Sequence, residues 1–295
     1  MKIPSLRDFR ISPVPLFVAV VAGLLAMSKS PSLAGLTHVF AVNDPIEGLA
    51  GVKVGQIHHA SLTSGGGVVA TVTLSGTGVT SANQKALVTA APGAPVQLMA
   101  RDGAPVTGAG IPAGSTIANI FYGSTSVEAS DTGVVARHVQ IDMPGSGVFD
   151  AILAGGPGSM SVQVYLYQSM PELGPGETIG PFCCPQINRR GDITYATGGK
   201  DVIWRGVPGA MTMVAIEQTQ YGELPGAGKF SGFSLPVIND TGDLCFGGSL
   251  LSDGAVVTTA NDQRLWKAGP PFVQLMVEGQ TLPDGGVPRP SPPSL

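Results

Sequence analysis

The 295 residues (29.9 kDa) include 42 glycines and 25 prolines, nearly a quarter of the chain, against only 12% charged residues. Disorder is excluded, because 43% of the residues are hydrophobic and a disordered chain lacks the apolar surface that offsets chain entropy. Low charge, abundant turn formers and a net charge of −4 also exclude a coiled coil, a helical bundle and a basic nucleic-acid binder.

In chain order, a positive start (Lys2, Arg7, Arg10) precedes an apolar run of twelve, Leu16 to Met27. The run is too short to span a hydrocarbon core of about 30 Å comfortably. With Ala26-Met27-Ser28 and Ser32-Leu33-Ala34 behind it, this reads as a secretory signal over residues 1–34, cut between 28 and 34. The alternative is an uncleaved anchor. No Cys follows the run to accept a lipid. Cleavage removes Lys2, Arg7, Arg10 and Lys29 against Asp8 alone, so the mature chain is more acidic still. The expected location is secreted, periplasmic or extracellular, with no membrane span after cleavage. Residues 35–57 are expected to form a lead-in strand and linker, and 287–295 a disordered Pro-rich tail.

Between these ends no helical period appears. Apolar residues alternate or run in short groups, as in Val68 to Leu74 and Val162 to Tyr167, bounded by Gly, Pro, Ser, Asn and Asp. The groups repeat. Asn188-Arg-Arg-Gly191-Asp192-Ile-Thr-Tyr195 matches Asn239-Asp-Thr-Gly242-Asp243-Leu-Cys-Phe246. Ser130-Asp-Thr-Gly133 and Ser64-Gly-Gly-Gly67 are looser copies, followed by Arg137 and Thr71. Each glycine precedes a second landmark: Val96-Gln-Leu-Met, Val162-Gln-Val-Tyr, Met211-Thr-Met-Val and Val273-Gln-Leu-Met. Between the two lies a short apolar stretch, which in the last two units holds Trp204 and Trp266. Polar Pro/Gly turns are expected after the landmarks, at Arg101–Pro105, Glu172–Pro175, Gly222–Pro225 and Glu278–Pro283. The spacing predicts four units over residues 58–286, each with three clear strands. A further strand lies in the links, at Thr116 to Phe121 and Phe230 to Ile238. The predicted fold is all-β: an antiparallel tandem-repeat array, β-propeller-like, with about four blades. An ordinary β-sandwich is the alternative. Tyr195 and Phe246 are expected in equivalent buried places, as are Trp204 and Trp266. A closed array would pair His38–Val42 or Val273–Val277 with the opposite end.

The Asn-x-x-Gly-x-x-x-aromatic element resembles the NxxGxxAF tandem repeats of secreted and surface-anchored bacterial proteins, and the turn Met99-Ala-Arg-Asp-Gly103-Ala-Pro105 is similar to the one that follows in that family. The resemblance implies a repeat fold and export. It implies no activity, and the chain ends without the apolar sorting helix of anchored members.

Candidate chemistry is sparse, and no catalytic, cofactor-binding or metal-binding residue is assigned. Asp192 and Asp243 follow the repeat glycines and are expected to cap their turns, although a ring of ligands is the other reading. No EF-hand loop or GGxGxD repeat points to calcium. His58 and His59 are adjacent, so a strand sends them to opposite faces; His38 and His138 stand alone. Arg189-Arg190 is the only basic pair. No HExxH, GxSxG or Ser-x-x-Lys occurs, and the Gly-rich Ala154–Ser159 lacks a phosphate-loop lysine. Glu217, Glu223 and Glu278 are the acids to inspect for glycoside chemistry. Cys183, Cys184 and Cys245 are an odd number, read as one disulfide with one thiol left over or as three buried thiols. Three functions stand: a non-catalytic extracellular binding or structural module, its ligand a polysaccharide or a protein; a secreted polymer-active enzyme; or a fragment of a larger repeat protein.

Overall fold

The computed structural model describes residues 37–121, 128–219, 228–252, 257–269 and 271–280. The predicted signal over 1–34, the tail over 287–295, the turn expected at Gly222–Pro225 and Glu223 lie outside these residues. A unit boundary falls between His38 and Val39, and the second unit runs from Val39 to Leu295.

The second unit is all-β, with four successive antiparallel sheets. The first contains β1 (Val52–Leu62), β2 (Val68–Gly76), β3 (Lys85–Ala90) and β4 (Gln97–Arg101). The second contains β5 (Thr116–Asn119), β6 (Val135–Met143), β7 (Gly147–Gly155) and β8 (Ser161–Tyr165). The third contains β9 (Ile179–Ile187), β10 (Ile193–Gly199), β11 (Val202–Val207) and β12 (Ala210–Ile216). The fourth contains β13 (Phe230–Phe233), β14 (Val237–Ile238), β15 (Leu244–Leu250), β16 (Gln263–Lys267) and β17 (Val273–Val277), with β13 and β14 both paired to β15. The first three are meanders, in which each strand is hydrogen-bonded to its neighbours in the chain. The landmark stretches are the last strands, β4, β8, β12 and β17. The linking strand is present in every sheet and comes first in it.

Alternation sends successive side chains to opposite faces, and in the first three sheets both faces are buried. Val69, Leu87 and Met99 of the first sheet pack with Val135, Val139, Ile141 and Leu153 of the second. Ala136, Ile152 and Val164, on the other face of the second, meet Ile193, Tyr195, Val202 and Trp204 of the third. Ile203 and Ala215 of the third meet Leu244, Phe246 and Trp266 of the fourth. Tyr195 pairs across the strands with Trp204, and Phe246 with Trp266. These pairs hold equivalent, buried places, each facing the preceding sheet. The corresponding face of the first sheet (Ala70, Val72, Ala86, Val88) is covered by Val39, Phe40, Ile46 and Leu49. No strand pairing among the described residues joins β17 to the first sheet; Pro45 and Ile46 bridge to Lys53 and Val96 instead.

The repeated turns are built alike. In three of them the first residue donates its N–H to the carbonyl four residues on and accepts from the glycine N–H: Ser130 with Val134 and Gly133, Asn188 with Asp192 and Gly191, Asn239 with Asp243 and Gly242. The glycines sit at φ +77°, +93° and +84°, where a side chain is strained. In the first sheet the same bonds join Thr63 to Gly67 and Gly66, and Gly66 has φ +75°. The unit therefore starts at Thr63, one residue before the Ser64–Gly67 alignment. Three consecutive glycines made that alignment ambiguous, because each can take the left-handed position.

Candidate functional site

The residues that stood out in the sequence are absorbed by this turn. Asn188 Oδ1 accepts the N–H groups of Arg190 (3.0 Å) and Asp192 (2.9 Å), and Asn239 Oδ1 those of Thr241 (3.1 Å) and Asp243 (2.7 Å). Ser130 Oγ takes the same role toward Val134 N–H (3.0 Å), so serine replaces asparagine without loss of the cap. The second residue of each turn then reaches the next turn. Ser64 N–H donates to Asp131 Oδ1 (3.0 Å), Asp131 N–H to the Arg189 carbonyl (2.8 Å), and Arg189 N–H to Asp240 Oδ1 (3.1 Å). Asn188 Nδ2 adds a bond to the Asn239 carbonyl (2.9 Å). The four turns thus form one line of contacts across all four sheets.

Asp192 and Asp243 belong to this line. Asp192 accepts from Asn188 Nδ2 and Arg190, both at 2.7 Å. Asp243 holds Lys267 Nζ at 2.8 Å and accepts from Thr241 and Asn239. Hydrogen bonds from Lys267, Thr241 and Asn239 bring its carboxyl down to about 2. Of the basic pair, Arg190 meets Asp192, and Arg189 lies 3.4 Å from Asp240. Of Ala154–Ser159, the first two residues end β7 and Gly156–Ser159 forms a β-turn, with Ser159 N–H donating to the Gly156 carbonyl (3.0 Å) and Gly156 N–H to Ser159 Oγ (3.1 Å).

The histidines separate. His38 and His59 are exposed. His58 meets Thr73 Oγ1 at 2.7 Å and stands edge-on to Phe121; partial burial, then the His59 and Lys85 charges, lower its pKa. His138 is buried on β6, 3.5 Å from Asp150 on β7. Burial lowers its pKa and Asp150 opposes the shift. It lines a cleft of about 280 Å³ with Glu128, Arg137, Cys184, Gln186 and Leu235. Burial also brings the Arg137 guanidinium down to about 10. The His138–Asp150 pair was not legible in sequence, because it depends on cross-strand register. Cys184 lies on β9 and Cys245, a free thiol, on β15; of Cys183 only the backbone is described.

Of the acids, Glu217 Oε2 accepts Asp201 N–H (3.3 Å), while Asp201 Oδ2 accepts Phe233 N–H from the next sheet (3.2 Å). Asp102 acts likewise between the first two sheets, taking Ile120 N–H at 2.7 Å. Burial raises both aspartates, against the pull of those N–H groups. These carboxylates tie sheets together. Glu278 sits in the turn after β17. Among the described residues no group of three or more His, Cys, Asp or Glu could hold a metal ion.

The turn after the last strand of each sheet has a single architecture. Asp102, Leu166, Glu217 and Glu278 donate their N–H groups back to Lys85, Asp150, Asp201 and Gln263, and the next residue is left-handed each time: Gly103 (φ +75°), Tyr167 (+65°), Gln218 (+60°) and Gly279 (+74°). The second and third of these turns fall at Tyr165–Gln168 and Ile216–Thr219; the chain turns again at the expected Glu172–Pro175, after the 3-10 segment Pro171–Leu173, and Gly222–Pro225 lies outside the described residues. Non-glycine residues at the left-handed position hid them. Tyr167 is 64% exposed. Its ring and that of Tyr165 each stand 6.5 Å from Phe149, steeply tilted at 87° and 75°. Tyr165 Oη donates to the Gly110 carbonyl (3.3 Å), and Gln168 Nε2 to that of Ala109 (3.3 Å).

The chain matches none of the curated proteins it was compared with. The model of a family of unknown function (DUF7453) matches residues 116–288, from the first residue of β5 through the last three sheets. That span is more than half of the sequence, and the chain belongs to this family.

Proposed function

We propose that this chain is an exported, non-catalytic β-repeat protein, a propeller-like array of NxxGxxAF type with an extracellular binding or structural role. The observation that carries this reading is the line of four turns. Polar residues that could have formed a ring of ligand or metal sites are instead used to cap each turn and join it to the next. The basic and apolar start of the sequence supports export. The other reading, a polymer-active enzyme, needs two acids facing a cleft; Glu217 has Asp201 beside it, but that carboxylate is tied to Phe233 N–H.

Two measurements test the proposal together. Expression with the native start, followed by N-terminal sequencing of material outside the cytoplasm, should give a new terminus between residues 28 and 35. Incubating the purified protein with polysaccharides should release no reducing ends. Retention of Met1 on cytoplasmic protein contradicts export, and sugar release that Glu217→Gln abolishes contradicts the non-catalytic reading.

A further inference from the structure

Tyr167 is an expensive choice of residue. Its backbone is left-handed, a conformation that L side chains other than Asn and Asp rarely adopt. The equivalent turns of the first and fourth sheets use Gly103 and Gly279 there. A tyrosine adds strain, and its ring, largely in solvent, recovers little by burial. Tyr167 leaves its ring exposed beside the half-buried Phe149, and strain kept at such a position accompanies function. The third sheet also departs from glycine, with Gln218, so the turn tolerates strain without requiring an aromatic.

The surroundings define what would bind. Phe149, Tyr165 and Tyr167 form one cluster, held by the tilted ring contacts and by Tyr165 Oη on the 108–111 loop. Tyrosine presents an apolar ring body and a hydroxyl, suited to a surface that is apolar at one end and wet at the other. Among the described residues, the hydrogen bonds of the cluster go to backbone carbonyls and an amide, none to a charged side chain. A phosphate backbone demands cations, and the net charge of −4 opposes one. A sugar ring fits: its C–H face lies on an aromatic ring while its rim of hydroxyls meets tyrosine hydroxyls and carbonyls.

We infer that Phe149, Tyr165 and Tyr167 form a binding platform for an uncharged polysaccharide, with Tyr167 as the residue that contacts it. This rests on the reading of the chain as an extracellular binding module and names the ligand class and site. The test is affinity electrophoresis of the exported form through gels holding dextran, xyloglucan, mixed-linkage β-glucan or galactomannan, with sedimentation on cellulose and chitin. At least one polymer should retard or sediment the wild type. Tyr167→Gly should weaken that interaction tenfold or more and melt at or above the wild-type temperature, because glycine relieves the left-handed strain. Tyr167→Trp should retain binding. The proposal is overturned if no polymer acts on the wild type, the result expected of a protein-binding surface. It is also overturned if Tyr167→Gly binds as the wild type does, or if it loses binding only by melting lower. Export and the absence of sugar release are measured separately, so either reading can fail alone.

Discussion

Gly242 shows how one position can be constrained twice. Its φ of +84° strains any side chain, and a Cβ there would meet the guanidinium groups of Arg190 and Arg205. Gly242→Ala should lower stability by about 1 kcal/mol or more, read as a drop in the thermal midpoint; an unchanged midpoint contradicts the turn assignment. Asp243 beside it has its carboxyl depressed to about 2. A depressed acid contributes stability that is present above its unfolded value of about 3.9 and is lost as pH falls toward 2. Lys267→Met removes the leading cause, so the Asp243 pKa, followed by NMR, should rise toward the ordinary range. Trp266 and Trp204 differ at this scale. Trp204 Nε1 donates to Thr197 Oγ1 (3.3 Å), whereas the matching residue in the fourth sheet is Gly248. Trp266 Nε1 is buried without a hydrogen-bond partner among the described residues, and Phe230 fills the space over Gly248.

The element that organises the fold is the Asn-x-x-Gly turn. Asn188 is buried, caps its own turn and bonds to the next, while Asn239 is exposed and caps only its own. With a net value of about 1 kcal/mol per hydrogen bond, the bond to the Asn239 carbonyl should make Asn188→Ala costlier than Asn239→Ala by about that amount, compared by urea unfolding. Equal losses would mean that the contact between turns adds nothing. His138 belongs to the packing of β6 on β9, with its ring 5.3 Å from Phe182. Its pKa is lowered, chiefly by burial and despite Asp150. A lowered histidine binds fewer protons folded than unfolded, so stability should fall as pH drops below the ordinary value of about 6.5. Thermal midpoints between pH 7.5 and 5.5 should show this slope, and His138→Gln should flatten it.

At the scale of the molecule, a stack of sheets must finish its two ends. The first sheet turns Ala70, Val72, Ala86 and Val88 outward from the stack, and residues 39–49 cover them. Ile46 is the buried centre of this cover, donating to the Val52 carbonyl (3.1 Å) and bridging to Val96. Ile46→Ala should cost about 2–4 kcal/mol and increase binding of a dye specific for exposed apolar surface; a surface-like effect below about 0.5 kcal/mol would deny the segment its covering role. At the other end, Val273 and Leu275 of β17 remain exposed. Terminal units of repeat arrays commonly differ from internal ones for this reason.

How much of this was legible beforehand depends on what carries each feature. Strands, four sheets in series and the equivalent aromatics follow from local pattern, because alternation and turn glycines act between chain neighbours. The equivalence of Tyr195 with Phe246 and of Trp204 with Trp266 follows from spacing alone, and so does the place of Asp192 and Asp243 in turns; the cross-strand pairing of each tyrosine or phenylalanine with its tryptophan needed the register. The tertiary structure decided the rest. The Thr63 register needed hydrogen bonds, since a run of glycines has no preferred alignment. The His138–Asp150 pair, the carboxylate ties of Asp102 and Asp201, and the cover by residues 39–49 bring together parts that no periodicity relates. Tyr167 is the clearest case: a tyrosine in sequence announces an apolar strand residue, and only the backbone dihedral discloses a turn position that glycine would occupy more cheaply.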